Sequence, residues 1–307
     1  MSFKIVIKLL ISGLLFYIVL RTVEIEAFRN VIANVSPGMV LFVALGYFLG
    51  QVISVFKWWI ILNSKRRTSM DGKSIPFIKA ARAYFMGMFV NVLGVGTVGG
   101  DMTRAMLVSD SDHPKTICLA TVVADRAHGL VVLLCIGILS VLFFGGNVLP
   151  FWLWLTLSVG GILVILGWFI GPEFLLYLVP KDHPFRVRVE QLSQSIPRDR
   201  GTLTSITILS LIFHLWQITL HQVMASALSV GISWPTLLVS IPFINVLSNL
   251  PISWQGLGVR ENGYAFFLVP HSLLYEQAVA MGVIWLFAIT SSGALGGLIA
   301  MLIRNKD

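Results

Sequence analysis

The chain has little charge. Asp, Glu, Lys and Arg make up 12% of its 307 residues, against roughly 25% in soluble domains. Acidic residues are the scarcest, 14 against 22 basic ones, leaving a net charge of +8. So few charges cannot cover a water-facing surface when 56% of the residues are hydrophobic and the mean hydropathy is +0.86. A polytopic membrane protein is expected. There is no polar stretch of the ~100 residues that a separate soluble catalytic domain needs, so the function is expected in or beside the bilayer. The two cysteines, Cys118 and Cys135, fall in apolar runs and indicate neither a disulfide framework nor a metal site. There is no GxxxxGK[ST] loop, which argues against direct ATP drive, and no HExxH or other recognised nucleophile arrangement. Nothing in the sequence calls for a cofactor. The basic residues lie between hydrophobic runs, where they set orientation and meet anionic lipid; nucleic acid is not an expected partner.

What is present is a series of apolar runs. Residues 3–20 form a first span that carries Lys4 and Lys8, and Arg21 to Glu24 follow where a cleavage site would need small residues. Ser36 and Pro37 open a second span, to about Leu62, with the usual N-cap and first-turn pair. Its far end carries Lys57, Trp58 and Trp59, read as an interfacial anchor. Further runs cover 76–93 with a short continuation from Asp101 to Val108, then about 115–144, 150–170, 202–228, 234–269 and 278–303. Two loops are strongly basic, one with Lys65, Arg66, Arg67 and Lys73, the other with Lys181, Arg186, Arg188, Arg198 and Arg200. The positive-inside rule assigns both to the cytoplasm. If every apolar run crossed the membrane, three spans would separate these loops and place them on opposite sides. A re-entrant hairpin at 76–109 removes that conflict, and a second at 234–269 lets the chain end at Arg304 and Lys306 in the cytoplasm.

The expected fold is an all-α integral membrane protein with six full transmembrane helices plus two re-entrant helical hairpins in an inverted repeat. The alternative is eight simple transmembrane helices. It is read as one polytopic domain, 1–307, with pseudo-repeat halves 1–146 and 149–307, multi-pass in the inner (cytoplasmic) membrane with both termini cytoplasmic.

The candidate site lies where charge meets glycine inside apolar runs. Asp101, Arg104, Asp125 and Arg126 follow Gly94, Gly96, Gly99 and Gly100; Asn249 precedes Gly256, Gly258, Arg260 and Glu261, and Asn91 corresponds to Asn249 in the first half. An ionisable side chain at the bilayer centre costs about 2.5–3.5 kcal/mol on insertion scales, so it faces a partner, a cavity or a substrate. Interrupted hydrophobic segments in corresponding positions of two halves point to a transporter binding site. The expected substrate contacts are therefore Asn91, Gly99, Gly100, Asp101, Arg104, Asp125, Arg126, Asn249, Gly256, Gly258, Arg260 and Glu261. In this reading Gly99 and Gly100 precede a half-helix that Asp101 caps while orienting Arg104 or Arg126, its free N–H groups and Arg104 hold a phosphate, and Arg260, oriented by Glu261, repeats the arrangement. The competing reading has Asp101 with Arg104, Asp125 with Arg126 and Arg260 with Glu261 merely locking helices together as buried pairs. His214 and His221, seven apart on one helix face, form either a proton relay or hydrogen bonds to neighbouring helices. Trp152, Trp154, Trp168 and Trp234 are read as interfacial belt residues, and PFRVRVEQL as a basic amphipathic surface helix.

GGDMTRAMLV, followed by ATVVADRAHGLVVLL and later LPISWQGLGVRENG, resembles the lysylphosphatidylglycerol synthase transmembrane family of flippase-like proteins, over essentially the whole chain. The resemblance implies a membrane protein that moves lipids or lipid-linked head groups. Bifunctional members join this region to a cytosolic aminoacyl-transferase domain that makes lysylphosphatidylglycerol; with no such domain here, synthase activity is not expected. The chain departs from the pattern in having Trp254 and Gln255 before GLG, where smaller residues are the rule. The leading expectation is a flippase for an anionic or zwitterionic phospholipid or a polyprenyl-phosphate-linked substrate. The alternatives are an intramembrane enzyme acting on a lipid head group, with Asp101 or Asp125 as base, and a non-transporting partner of a separate lipid transferase.

Overall fold

A computed structural model describes residues 23–64, 74–250, 253–271 and 273–303, with scattered positions between 10 and 21. The expected first span and the basic stretch at 65–73 lie largely or wholly outside the described residues. The described residues contain no strand. Their helices are α1 (Ile25–Ala33), α2 (Pro37–Leu62), α3 (Phe77–Val90), α4 (Gly96–Val108), α5 (Lys115–Phe144), α6 (Phe151–Leu178), α7 (Pro184–Ser195), α8 (Arg200–Ala227), α9 (Trp234–Asn249), α10 (Val259–Leu268) and α11 (Tyr275–Leu302). The chain is an all-α membrane protein. Among the described residues five helices, α2, α5, α6, α8 and α11, are long and apolar enough to cross a membrane.

Four of the short helices, α3, α4, α9 and α10, form two antiparallel pairs. At 1.5 Å per residue α3 and α4 are about 21 and 20 Å long, and α9 and α10 about 24 and 15 Å, all short of the ~30 Å hydrocarbon core. In the first pair Lys79 meets Asp110 at the open end, Ala83 packs in one cluster with Ala105 and Val108, and Gly87 lies against Gly100 near the tip. The chain reverses through a five-residue π-helical turn, Asn91–Val95. In the second pair Gly263 lies under Ile244 and Gly256 under Ser248, and the reversal falls between Asn249 and Val259.

The first reversal differs from the expected one. The π turn completes it before Gly99 and Gly100 are reached, so these residues and Asp101 lie inside α4, which starts at Gly96. The glycine at position 100 serves close approach instead: a Cβ there would overlap the Gly87 carbonyl oxygen and Asn91 Oδ1.

Small residues also seat the first hairpin on α11, where Gly293 and Gly297 accept Val92 and Phe89. Trp216 of α8 donates its indole N–H to the Gly46 carbonyl of α2 at 2.7 Å. The principal core joins α2, α5, α8, α9, α10 and α11 through Val43, Val132, Ile218, Ile244, Tyr264 and Met281. Helix α6 extends past the expected end near residue 170, with Pro172 buried inside it, and exposes Phe151, Leu163, Phe169 and Tyr177 as a lipid-facing surface does. The PFRVRVEQL segment forms α7, capped by the His183 side chain. Two tryptophans expected at the interface, Trp152 and Trp234, are exposed; Trp154 is half-buried and Trp168 is buried edge-on against His128. The belt reading fails at Trp168 because hydropathy does not report which face of α6 meets α5.

Candidate functional site

The tips of the two hairpins meet. Gln255 donates from Nε2 to the Asn91 carbonyl at 2.8 Å, across 164 positions of sequence. Beneath that contact lies a chamber of about 120 Å³. From the first hairpin it is lined by Asn91, Gly100, Asp101 and Arg104, from the second by Ser248, Asn249, Ser253, Gly256 and Arg260, and from α5 by Arg126. Tyr47, Tyr84, Asp101, Arg126, Asn249 and Arg260 also border a larger cavity of about 400 Å³, which extends past Asp125 to Lys57 and His214. That volume falls within the range of small-molecule sites.

Most of the expected residues therefore converge. Asn91, Gly100, Asp101, Arg104, Arg126, Asn249, Gly256 and Arg260 line the small chamber, and Asp125 lines the larger one. Gly99, Gly258 and Glu261 are not among the lining residues of either. Gly99 gives its carbonyl to the Thr103 hydroxyl, and Gly258, at φ +79°, is the N-cap of α10. Glu261 accepts the Gly258 N–H at 2.6 Å and packs against Gly282 of α11.

Three expected roles are corrected. Asp101 does not cap a half-helix; one turn inside α4, it reaches Arg104 Nε at 3.4 Å and Arg126 Nη2 at 2.9 Å. The Gly100 N–H is not free for an anion, because Asn91 Oδ1 accepts it at 3.0 Å. Glu261 does not pair with Arg260; its carboxylate is turned to the helix N-terminus, while Arg260 Nε and Nη1 have no hydrogen-bond partner.

The first hairpin carries a closed ion network. Asp125 Oδ2 meets Arg104 Nη2 at 3.2 Å, and its Oδ1 meets Lys57 Nζ at 2.9 Å. The Arg104 guanidinium also lies over Trp58 and Tyr84, 4.9 and 5.2 Å from the ring centroids. Cation–π contact and two carboxylates leave this arginine 3% exposed. The competing reading of locked pairs thus holds for Asp101, Arg104, Asp125 and Arg126: the foreseen Asp101–Arg104 contact is present, the foreseen Asp125–Arg126 pair is replaced by Asp125 with Arg104 and Arg126 with Asp101, and the reading does not hold for Arg260. Lys57 and Trp58, read as an interfacial anchor, are buried members of this cluster. The signal was a lone lysine inside an apolar run; its position five residues before the end of α2 disguised it. Ser248 and Ser253 were missed because a serine in an apolar helix or loop carries no mark of its own.

Across both cavities Lys57, Arg104, Arg126 and Arg260 face Asp101 and Asp125, four cations against two carboxylates, a formal excess of +2. Glu261 stands behind this wall. The two histidines are tied down separately: His214 Nε2 lies 3.0 Å from the Gly129 carbonyl, and His221 contacts the Gln217 carbonyl and the Tyr264 hydroxyl, both at 2.7 Å. They join helices and make no relay to each other.

A family model described as the lysylphosphatidylglycerol synthase TM region matches residues 5–297. Comparison with curated proteins gives no match.

Proposed function

The chain belongs to the lysylphosphatidylglycerol synthase transmembrane family, whose setting is lipid-related and membrane-bound, and from that premise we propose that it moves a phosphate-bearing lipid between the two leaflets. The substrate class is an anionic or zwitterionic phospholipid or a polyprenyl-phosphate-linked lipid, carried unchanged, with no transferase chemistry on this chain. A separate lipid transferase would be the natural source of a modified head group. The two half-length hairpins enter from opposite faces of the inner membrane, as inverted repeats, and both termini are cytoplasmic.

One observation carries this reading: a cavity with a cation excess of +2 is shared by the tips of two short hairpins that meet. Uncompensated cations are expensive at membrane depth and persist where an anion or substrate visits them. Arginine forks suit phosphate oxygens in pairs. Short helices that stop inside the membrane around such a cavity are the usual setting of a transported ligand.

Leaflet exchange of a fluorescent anionic phospholipid in proteoliposomes tests the proposal. Wild type is expected to accelerate exchange, and Arg104→Ala and Arg260→Ala to reduce it at least tenfold. Wild-type exchange rates in both variants sink the reading. Mass spectrometry of the recovered lipid is expected to find it chemically unaltered; a new covalent species would replace transport with catalysis.

A further inference from the structure

Hydrogen-bonding capacity is divided unequally between the two hairpins. Around the first, each cation has a carboxylate within ion-pair distance: Lys57 holds Asp125, Arg104 lies between Asp101 and Asp125, and Arg126 holds Asp101; Arg104 Nε and Asp125 Oδ1 form no hydrogen bond but lie 3.4 and 2.9 Å from Asp101 and Lys57. On the second, Arg260 is 5% exposed, yet its Nε and Nη1 have no partner. The hydroxyls of Ser248 and Ser253, in residues 5% and 7% exposed, are also without one. All three residues line the small chamber. Buried polar groups are normally satisfied, and a buried unpaired charge is among the costliest features a fold can carry. The missing partner is therefore expected from outside the protein.

Its chemistry follows from the donors. A guanidinium fork presents parallel N–H bonds to two oxygens of one phosphate, and two hydroxyls can serve the remaining oxygens. The backbone makes room for the fork: Gly256 adopts φ +78°, and a Cβ there would sit 2.8 Å from Arg260 Nη2. Glu261, the nearest carboxylate in sequence, gives Oε2 to the Gly258 N–H, and its Oε1, turned against Gly282, has no hydrogen-bond partner and forms no salt bridge with Arg260.

We propose that the protein has one phosphate seat, on the second hairpin, in which Arg260, Ser248 and Ser253 bind a single oxyanion. The self-paired cluster of the first hairpin is the wall against which that seat is built and takes no phosphate of its own. This rests on the transport reading for its biological meaning, but the seat itself is a binding site that can be measured without transport. The oxyanion is either a lipid phosphate or free inorganic phosphate.

The test uses the full chain in detergent, with binding of short-chain phosphatidylglycerol followed by native mass spectrometry and inorganic phosphate as competitor. One lipid per chain is expected. Arg260→Lys keeps the charge and loses the fork; it and the double variant Ser248→Ala/Ser253→Ala are each expected to weaken binding about tenfold or more, and several times more than Arg126→Lys does. Thermal midpoints report whether each variant folds; if Arg260→Lys does not, the serine pair decides. Displacement of the lipid by phosphate supports a seat that accepts the oxyanion from either source. Binding that resists phosphate but falls in both seat variants supports the lipid as ligand. Two lipids per chain, unchanged binding in the seat variants, or a larger loss from Arg126→Lys overturns the single seat. Seat-dependent binding without leaflet exchange would remove the transport reading and leave the seat; exchange unaffected by the seat variants would do the reverse.

Discussion

Gln255 joins the two hairpins at their tips: its Nε2 donates to the carbonyl of Asn91, the first residue of the π turn, at 2.8 Å. The wide turn leaves that carbonyl turned toward the opposite hairpin, and the reach of a glutamine closes the gap. Gln255 also holds φ +52°, a conformation that costs a side-chain-bearing residue about 1–2 kcal/mol.

Two substitutions separate these opposing effects. Gln255→Ala loses the inter-tip hydrogen bond, about 1 kcal/mol, and keeps the strained backbone; Gln255→Gly loses the same bond and relieves the strain. The alanine variant is expected to be the less stable by about 1 kcal/mol in reversible unfolding from detergent. Hydrogen exchange at residues 91–95 is expected to rise in both. Equal stability would mean that the positive φ carries no cost here.

The loop that closes the open end of the first hairpin has a predictable pH response. Asp110 lies outside the spanning helices, with Lys79 Nζ at 2.6 Å and His113 Nδ1 at 2.7 Å, and it accepts the Asp112 and His113 N–H groups. Partial burial pushes its carboxyl up, but the Lys79 and His113 contacts outweigh this and hold it well below the usual carboxylate range. A depressed folded value means that the contribution is fully present above the unfolded aspartate value of about 3.9 and is lost as pH falls below it. The thermal-midpoint gap between wild type and Asp110→Asn is therefore expected to narrow steadily as the pH falls below about 4. A gap that is flat down to pH 3 would contradict the assignment.

Much of this molecule was legible in one dimension. The limits of α2 and α5 follow from hydropathy and from Pro37 and Lys115, and a charge inside an apolar run marked Asp101, Arg104, Asp125, Arg126 and Arg260 without any knowledge of the fold. Gly258 three residues before Glu261 is a helix-start pattern, and reading it would have released Glu261 from the site. Pairing was only partly legible: Asp101 and Arg104, three apart on one helix, could be matched, but which partners Asp125 and Arg126 meet depends on how α4 and α5 cross. The π turn was also hidden: glycine runs announce that a chain departs from regular helix, not where. Lys57 shows the general difficulty, since a lysine near a helix end has the same sequence signature whether it reaches lipid head groups or a buried carboxylate.

Close approach within the first hairpin rests on position 100. Gly100→Ala would drive a methyl group into the Gly87 carbonyl and Asn91 Oδ1, both held in helical backbone or in the turn, so neither can yield easily. Overpacking of this kind costs about 1–3 kcal/mol, and here it would also pry open the chamber. Gly160 offers the contrast: it lies on the exposed side of α6, and a Cβ there meets nothing within 4 Å. Gly160→Ala is expected to be neutral or to stabilise by up to about 1 kcal/mol through helix propensity. Similar losses in both variants would argue against the tight crossing of α3 and α4.

The closed network around Asp125 makes a prediction whose sign separates a lock from a binding site. Asp125→Asn leaves Lys57 and much of Arg104 without their counter-charge in a buried setting, and breaking one side of such a pair costs about 3–5 kcal/mol. Removing Lys57 as well, in Lys57→Met/Asp125→Asn, takes away one orphaned cation and leaves Arg104 with Asp101, Trp58 and Tyr84. The double variant is therefore expected to be more stable than Asp125→Asn alone, with a coupling of about 1–3 kcal/mol between the two positions in thermal unfolding from detergent. If the phosphate seat is on the second hairpin, phosphatidylglycerol binding should return with the stability, because nothing in the seat has been removed. Recovery of the fold without recovery of binding would place Lys57 or Asp125 in direct contact with the ligand and move the seat toward the first hairpin.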